Sequence, residues 1–276
     1  MKKASIGNPF VSSPYVLWSA IFIVVPLLMV AYYSFTDSSG SFTLNNIATI
    51  CSYNYLRIFG ESILYAVIAT VITLVVSYPL AYFMTKTSIS TQATLMLLVM
   101  LPMWMNLLIR TYSISNILER NGIINTFLEM IGLEKIQLIN TPGAVILGMV
   151  YNFIPYMILP IYSILSKINP SLLEASSDLG ANGFVTLRRV IIPLSTPGVV
   201  SGITMVFVPS VSTFYISQKL GGIHNELIGD VIEQQFKLNN NYNLGASLSL
   251  VLMVMIIVSL AVMNKFTADD DGGVIV

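Results

Sequence analysis

Residues 169–193 read NPSLLEASSDLGANGFVTLRRVIIP and lie between two long apolar runs of the chain. The opening Asn-Pro pair suits an N-cap followed by the first position of a helix. Glu174 and Asp178 are four residues apart, so both carboxylates point from the same face of that helix. Gly180 can adopt the left-handed conformation that ends a helix. The segment therefore predicts a short helix, a glycine turn and a second helix that returns towards the next apolar run.

The second helix is expected over residues 183–192, with Asn182 as its N-cap and Pro193 as the residue that stops or bends it. One face of the first helix carries Leu172, Leu173, Ser176 and Leu179. A protruding helix with an apolar face and two aligned carboxylates suits docking in a groove of a soluble partner. Movement of the docked helix would then pass directly to the two flanking apolar runs.

The composition places the whole chain in a membrane. Of its 276 residues, 55% are hydrophobic and only 9% are charged, and the mean hydropathy is +0.79. Because soluble domains carry about 25% charged residues, this chain cannot be a cytosolic enzyme, a nucleic-acid binder or a disordered protein. The net charge of +0 indicates no bulk attraction to acids or bases. A single cysteine and a single histidine exclude an internal disulfide and a metal site built from several such residues.

The apolar runs predict an all-α membrane protein with six spans, since a bilayer-crossing helix needs about 20 mostly apolar residues. The predicted spans are residues 15–35, 63–84, 93–113, 144–165, 195–216 and 245–264. The first run is longer than the apolar core of a signal peptide and no A-x-A site follows it, so it is expected to be retained. The predicted organisation is an N-terminal segment 1–14, a transmembrane domain 15–264 that contains the loop 167–194, and a tail 265–276.

The distribution of lysine and arginine predicts that both termini lie in the cytoplasm. With that orientation, the inner segments carry Lys2, Lys3, Lys86, Lys167, Arg188, Arg189 and Lys265. The outer segments carry Arg57, Arg120, Lys135, Lys219 and Lys237. Cys51 then lies in an outer loop as a free thiol. The last outer loop holds His224, Glu226, Asp230 and Glu233, and is interpreted either as a contact for an external protein or as a solvated acidic loop.

The 169–193 segment resembles the EAA motif of ABC importer permeases. Glu174, Ala175 and Ser176 stand where that motif has Glu-Ala-Ala, and Gly180 follows six residues after the glutamate. Nine residues later, the motif element I-x-L-P reads VIIP. Ser176 replaces the second alanine, but the spacing is intact. The resemblance implies that the helix docks on a cytoplasmic ATPase through Glu174, Ala175, Asp178, Leu179 and Gly180.

ATP chemistry is expected on a separate protein. The chain contains no G-x-x-x-x-G-K-[ST] phosphate loop, so ATP and Mg are assigned to the partner ATPase. This chain is therefore expected to be a transport subunit, with no enzymatic activity and no cofactor of its own.

Three further stretches resemble the first permease subunit of spermidine/putrescine ABC importers: residues 101–112, 148–165 and 209–236. The resemblance implies a type I importer permease with the MetI-like fold, embedded in the lipid bilayer. It also implies a second homologous permease, two copies of the ATPase and an extracytoplasmic polyamine-binding protein as partners. Permeases for putrescine alone, iron or phosphonates share this scaffold, so the substrate stays open at this point.

Other classes of membrane protein fit the sequence less well. A secondary transporter or channel normally has intramembrane acids or a pair of repeats, and neither is apparent. A membrane scaffold that recruits a soluble protein through the 167–194 loop is the remaining alternative.

A polycation path needs carboxylates, carbonyls or aromatic faces. The candidate path residues are Trp104, Asn106, Tyr112, Tyr151, Tyr156, Phe214 and Tyr215, with Asn152 as a further polar group. An isolated tyrosine or tryptophan near the end of a span is more often part of the aromatic belt at the membrane interface than a ligand contact. Prolines 102, 155 and 209 can kink their helices and shape a cavity. Arg110 is the charged residue within the predicted third span. It either pairs with an acidic residue of the outer loops or of the partner subunit, or it faces away from the path.

Overall fold

The computed structural model describes residues 9–271. The expected basic N-terminus with Lys2 and Lys3, and residues 272–276 of the tail, lie outside this range. The α-helices are α1 (Pro9–Ser19), α2 (Val25–Ser34), α3 (Asn45–Ile50), α4 (Tyr53–Thr85), α5 (Ile89–Met100), α6 (Leu107–Leu118), α7 (Ile123–Met130), α8 (Pro142–Leu165), α9 (Pro170–Asp178), α10 (Gly183–Thr186), α11 (Ile192–Ser212), α12 (Tyr215–Leu220), α13 (Ile228–Lys237) and α14 (Tyr242–Asp271).

The predicted all-α class is confirmed. Within residues 9–271 the structure contains no β-strand, and one isolated bridge pairs Thr36 with Phe42. Five helical stretches are long and apolar enough to cross a membrane: Pro14–Ser34, Tyr53–Thr85, Pro142–Leu165, Gly183–Ser212 and Tyr242–Met263. A bent pair of helices supplies a sixth if it is taken as one span.

The third span, predicted over residues 93–113 with a kink at Pro102, is broken sharply at that proline. Its two parts, Ile89–Trp104 and Leu107–Met130, are bent by 94° relative to each other. The helix tightens into a 3₁₀ turn at Leu101–Trp104, and Met105 then takes an extended conformation. Pro102 lacks the N–H group that a continuing helix would use. We call residues 101–106 the elbow. In contrast, Pro155 and Pro209 lie inside α8 and α11, which continue through them.

The fifth span also differs from its predicted limits of 195–216. Helix α11 ends at Ser212, because Thr213 is extended and a separate helix begins at Tyr215. At its start, the helical run continues from Gly183 through Pro193 instead of stopping there. A wide π turn at Leu187–Ile191 precedes the proline. This turn changes the hydrogen-bond register just where Pro193 has no N–H to donate.

The described residues divide into two compact units. One contains residues 57–230 and the region from 256 onwards, and the other contains the chain up to Leu56 and residues 231–255. In this second unit, Asn243 Nδ2 donates to the Thr36 carbonyl over 2.7 Å and Ser247 Oγ donates to the Ser34 carbonyl over 3.0 Å. The end of the first span is thereby bonded to the start of the last span. Close by in the chain, the Ser39 hydroxyl and the Ser41 N–H hold the pKa of Asp37 below its ordinary value.

The larger unit is organised around the pair α8 and α11. Gly198 and Gly202 lie one turn apart on α11 and let the two backbones approach closely. A Cβ atom on Gly198 would lie 2.8 Å from the Pro160 carbonyl oxygen, and one on Gly202 would lie 3.2 Å from that of Met157. The buried core of this unit includes Met149, Met157, Ile161 and Val206. These two helices are the ones that the 167–194 loop connects.

Polar side chains join this pair to the helices before it. Tyr78 of α4 and Ser195 of α11 share a hydrogen bond of 2.8 Å between their hydroxyl oxygens. Tyr162 of α8 donates to Gln92 of α5 over 2.8 Å. Gln92 in turn donates to the Thr87 carbonyl over 2.9 Å and stabilises the short link between α4 and α5. Polar groups inside a membrane protein have little access to water, so they need partners within the protein, and these bonds supply them.

Replacing Gly198 by alanine should destabilise the α8–α11 pair, because the new methyl group meets backbone atoms that cannot turn aside. Overpacking of this kind costs about 1–3 kcal/mol. We expect a lower midpoint of thermal unfolding for the purified protein in detergent. Gly60→Ala is the matched control, since nothing lies within 4 Å of its Cβ position. Equal unfolding midpoints for the two variants would contradict the close approach.

Candidate functional site

Helix α9 begins and ends at the residues that the sequence predicts. Asn169 Oδ1 accepts a hydrogen bond from the Ser171 N–H over 3.1 Å, which caps the first turn. At the other end, Gly180 has a φ of +77°. The Ala181 N–H donates to the Ser176 carbonyl over 3.1 Å. These bonds are those of a Schellman motif, in which a left-handed glycine reverses the chain after the last turn.

A side-chain hydrogen bond joins the two halves of the loop, and the sequence analysis did not find it. The hydroxyl oxygens of Ser176 on α9 and Thr186 on α10 are 2.9 Å apart. Asn182 caps α10 by accepting from the Val185 N–H over 2.9 Å, as predicted. In the sequence, the only sign of this bond is that Ser176 replaces the second alanine of the EAA motif. Alanine has no hydroxyl group and could not bond to Thr186.

The five predicted docking residues are all exposed. Leu179 has 89% of its surface accessible. It lines a groove of about 690 Å³ together with Leu172, Ala175, Ser176, Gly180, Ala181, Asn182, Val185, Arg189, Val190, Pro193 and Leu194. Glu174 and Asp178 lie on the exposed surface of α9 outside this lining. The loop thus presents an apolar groove with carboxylates on the same helix.

Arg110 has a structural partner that neither sequence interpretation anticipated. Its side chain is buried, with 4% exposed, and Nη1 donates to the Pro102 carbonyl over 3.0 Å. Asn106 Oδ1 accepts from the Leu108 N–H over 2.7 Å and caps α6 on the other side of the break. Among residues 9–271 no carboxylate forms an ion pair with Arg110. The guanidinium is a second donor to this carbonyl, which also accepts from the Met105 N–H over 3.1 Å.

Helices α6, α8 and α12 meet next to the elbow. Asn152 of α8 is fully buried, and its Nδ2 donates to the Gly148 carbonyl over 2.8 Å and to Thr111 of α6 over 3.3 Å. Gly148 allows α12 to lie against α8, since a Cβ there would collide with side-chain atoms of Leu220 and Ile216. This packing positions the predicted path residues of three helices around one region.

The seven predicted path residues differ in their exposure. Trp104 is 76% exposed at the elbow, and Asn106 beside it is exposed as well. The remaining exposed members are Tyr112, Tyr151 and Phe214, whereas Tyr156 and Tyr215 are half-buried. Lys219 of α12 places its Nζ 4.8 Å from the ring centroid of Tyr112, which is a cation–π contact. The assignment of these residues to a substrate path stays a prediction.

Asp230 is a buried residue of the segment interpreted as a possible solvated acidic loop. It is 0% exposed, and its Oδ2 accepts from the Leu227 N–H over 2.7 Å. The next N–H, that of Ile228, donates to Ser62 Oγ of α4 over 2.8 Å. Asp230 thus caps the start of α13 in contact with the core. The side chain of His224 lies outside the described residues.

Arg110→Met should lower the stability of the elbow, because the Pro102 carbonyl then loses one of its two donors and keeps only the Met105 N–H. A hydrogen bond that involves a charged group contributes about 1.5–3 kcal/mol. We expect a lower unfolding midpoint in detergent, and partial recovery with Arg110→Lys. Arg120→Met removes an equal charge from an exposed position and serves as the control. If Arg110→Met unfolds at the wild-type temperature, the bond to Pro102 is not a structural requirement.

The sequence matches the family model described as "Binding-protein-dependent transport system inner membrane component" over residues 74–267. It is 38% identical to the spermidine/putrescine transport system permease protein PotB of Haemophilus influenzae, over 86% of this chain and 86% of that protein. It is 37% identical to the protein of the same name from Escherichia coli K12, over 86% of this chain and 90% of that protein.

The fold is similar to that of a chain in the crystal structure of a bacterial ABC transporter involved in the import of the acidic polysaccharide alginate. The TM-score is 0.81, with 93% of both chains covered and 16% sequence identity. At this identity the likeness concerns the fold alone, and it extends over almost the whole length of both chains.

Proposed function

The chain belongs to the family of binding-protein-dependent transport system inner membrane components, and on this premise we propose that it is the permease subunit of an ATP-driven polyamine importer. The observation that carries the proposal is its 37–38% identity, over 86% of the chain, to two relatives named as spermidine/putrescine permeases. The chain is a multi-pass membrane protein with five or six spans. Spermidine and putrescine are the proposed substrates.

The 167–194 loop is the proposed docking site for the ATPase. Leu179 and the groove beside it offer an apolar contact, and Glu174 and Asp178 offer acceptors for basic groups of the partner. The Ser176–Thr186 bond and the turn at Gly180 make the loop a preformed element. A preformed element transmits displacement and loses little conformational entropy on docking. Two copies of the ATPase, which bind ATP and Mg, and a second permease complete the proposed membrane complex.

The polyamine path is proposed to run along the elbow and the aromatic residues of α6, α8 and α12. Trp104 and Tyr112 expose ring surface, and aromatic faces attract ammonium groups. Among the residues of the larger unit whose side chains the structure describes, Asp230 is the one buried carboxylate, and it caps α13. The carboxylates that a polycation requires are therefore proposed to come from the second permease and from the extracytoplasmic binding protein.

Both termini are proposed to be cytoplasmic, which places the 167–194 loop on the side of the ATPase and Cys51 on the outer side. Cys51 is an exposed free cysteine and the single cysteine of the chain. A maleimide that cannot cross the cytoplasmic membrane should therefore label Cys51 in cells in which that membrane is intact and its outer face is accessible. Cys51→Ser is the control for background labelling. Labelling that requires disruption of the cytoplasmic membrane would reverse the proposed orientation.

Gly180→Val should reduce uptake several-fold while leaving the amount of protein in the membrane unchanged. A β-branched residue at a φ of +77° is strained by about 1–2 kcal/mol, so the turn that presents Leu179 is distorted. The ratio of amine transported to ATP hydrolysed should fall in the reconstituted complex. Gly183→Val is the matched control, because Gly183 is uncrowded and has no positive φ. Equal ratios for both variants would contradict the docking role.

The substrate is tested by uptake of labelled spermidine and putrescine in cells that lack this chain and all redundant polyamine importers. We expect that the intact gene restores uptake of at least one amine and that a Leu179→Asp variant does not, because a charge enters the apolar contact. Membrane levels of both proteins are compared by immunoblot. Failure of the intact gene to restore uptake of either amine would exclude the polyamine assignment and direct the search to other small solutes.

A further inference from the structure

Lys219 and Tyr112 form a contact between two helices of the proposed path. The ammonium nitrogen lies 4.8 Å from the ring centroid, within the range of about 6 Å over which a cation is attracted to an aromatic face. Tyr112 is on α6, six residues after Asn106 of the elbow, and Lys219 is in the last turn of α12. The tyrosine keeps 49% of its surface exposed. The ring is therefore in contact with a cation of the protein and still open to a second molecule.

The ring is the charge partner that the structure gives to Lys219. Within residues 9–271 no carboxylate forms an ion pair with this lysine. The other cation of this region, Arg110, is held by the Pro102 carbonyl. The helices of the proposed path thus carry two positive side chains, Lys219 on α12 and Arg110 on α6.

The position of Lys219 is determined by buried neighbours. Ile216 and Leu220, on either side of it along α12, are both 0% exposed, and both would meet a Cβ placed on Gly148 of α8. The Leu220 carbonyl accepts from the Asn140 N–H over 2.8 Å. Lys219 itself is half-buried. The packing of α12 against α8 therefore holds the Lys219 side chain next to Tyr112.

We propose that the ammonium group of Lys219 is a tethered competitor for the Tyr112 ring, which an ammonium group of the transported polyamine takes during passage. The inference rests on the proposed function. A lysine side chain ends in a primary ammonium on a short methylene chain, which is the chemistry of a polyamine terminus. A substrate that displaces Lys219 gains the ring but meets a neighbouring positive charge. Its binding is weakened, which favours release, as conduction along a pathway requires.

The proposal predicts that removal of the lysine charge changes the uptake of spermidine only when the Tyr112 ring is present. Lys219→Met keeps the stem and removes the ammonium, so the spermidine concentration for half-maximal uptake should fall about three- to tenfold, the range expected for one cation–π contact. The maximal rate should fall as well, because release is slower. Lys219→Arg, which keeps a cation, should behave like the wild type. In a Tyr112→Leu background, Lys219→Met should have no effect on the half-maximal concentration.

The experiment uses the full complex in cells that lack other polyamine importers, with labelled spermidine as the probe and membrane levels measured in parallel. An unchanged or raised half-maximal concentration for Lys219→Met would overturn the proposal. So would a fall that persists in the Tyr112→Leu background. A purely structural contact would lower the membrane level or maximal rate of both single variants without a fall in that concentration. If the wild type itself transports no polyamine, the proposed function fails independently of this contact.

Discussion

The close packing of α8 against α11 is the contact on which the rest of the larger unit depends. Two glycines, one turn apart, allow α11 to lie directly on the backbone of α8. Without a hydrophobic driving force between helices in lipid, such close van der Waals packing is a main source of association. The loop that joins these helices is capped at both of its own helices and closed by the Ser176–Thr186 bond. Loop and helix pair therefore form one stiff hairpin, which is the mechanical element that an ATPase needs to move.

The irregular backbone of the protein follows a second constraint. Inside a bilayer each backbone N–H and C=O must find a partner within the protein. At the elbow, Arg110 supplies a donor to the Pro102 carbonyl. Before Pro193 a π turn changes the register in which the helix bonds. In the loop outside the spans, the N–H groups of Gly180 and Ala181 bond back to the last turn of α9. Each of these three departures from a straight helix is thus accompanied by an altered pattern of hydrogen bonds.

These two constraints also explain what the sequence could predict. The apolar runs predicted the class and the positions of the spans, since burial in lipid acts on composition alone. The loop was predicted correctly through Asn169, Gly180 and Asn182, because caps and left-handed turns are local. A kink at Pro102 was predicted, but a bend of 94° was not, because no local pattern shows that Arg110 reaches back to the Pro102 carbonyl. The Ser176–Thr186 bond and the burial of Asp230 depend on tertiary neighbours, which no local pattern indicates.

Helix α8, the loop and α11 should therefore move as one body during transport. This joint movement is tested by spin labels at Ser163→Cys on α8 and Ser201→Cys on α11, two exposed positions, in a Cys51→Ser background. Distances are measured by pulsed electron paramagnetic resonance in the reconstituted complex, without nucleotide and with ATP trapped. The account predicts an unchanged distance within this pair, and a changed distance between Ser201→Cys and a label on the second permease. Separation of the α8 and α11 labels on ATP binding would contradict it.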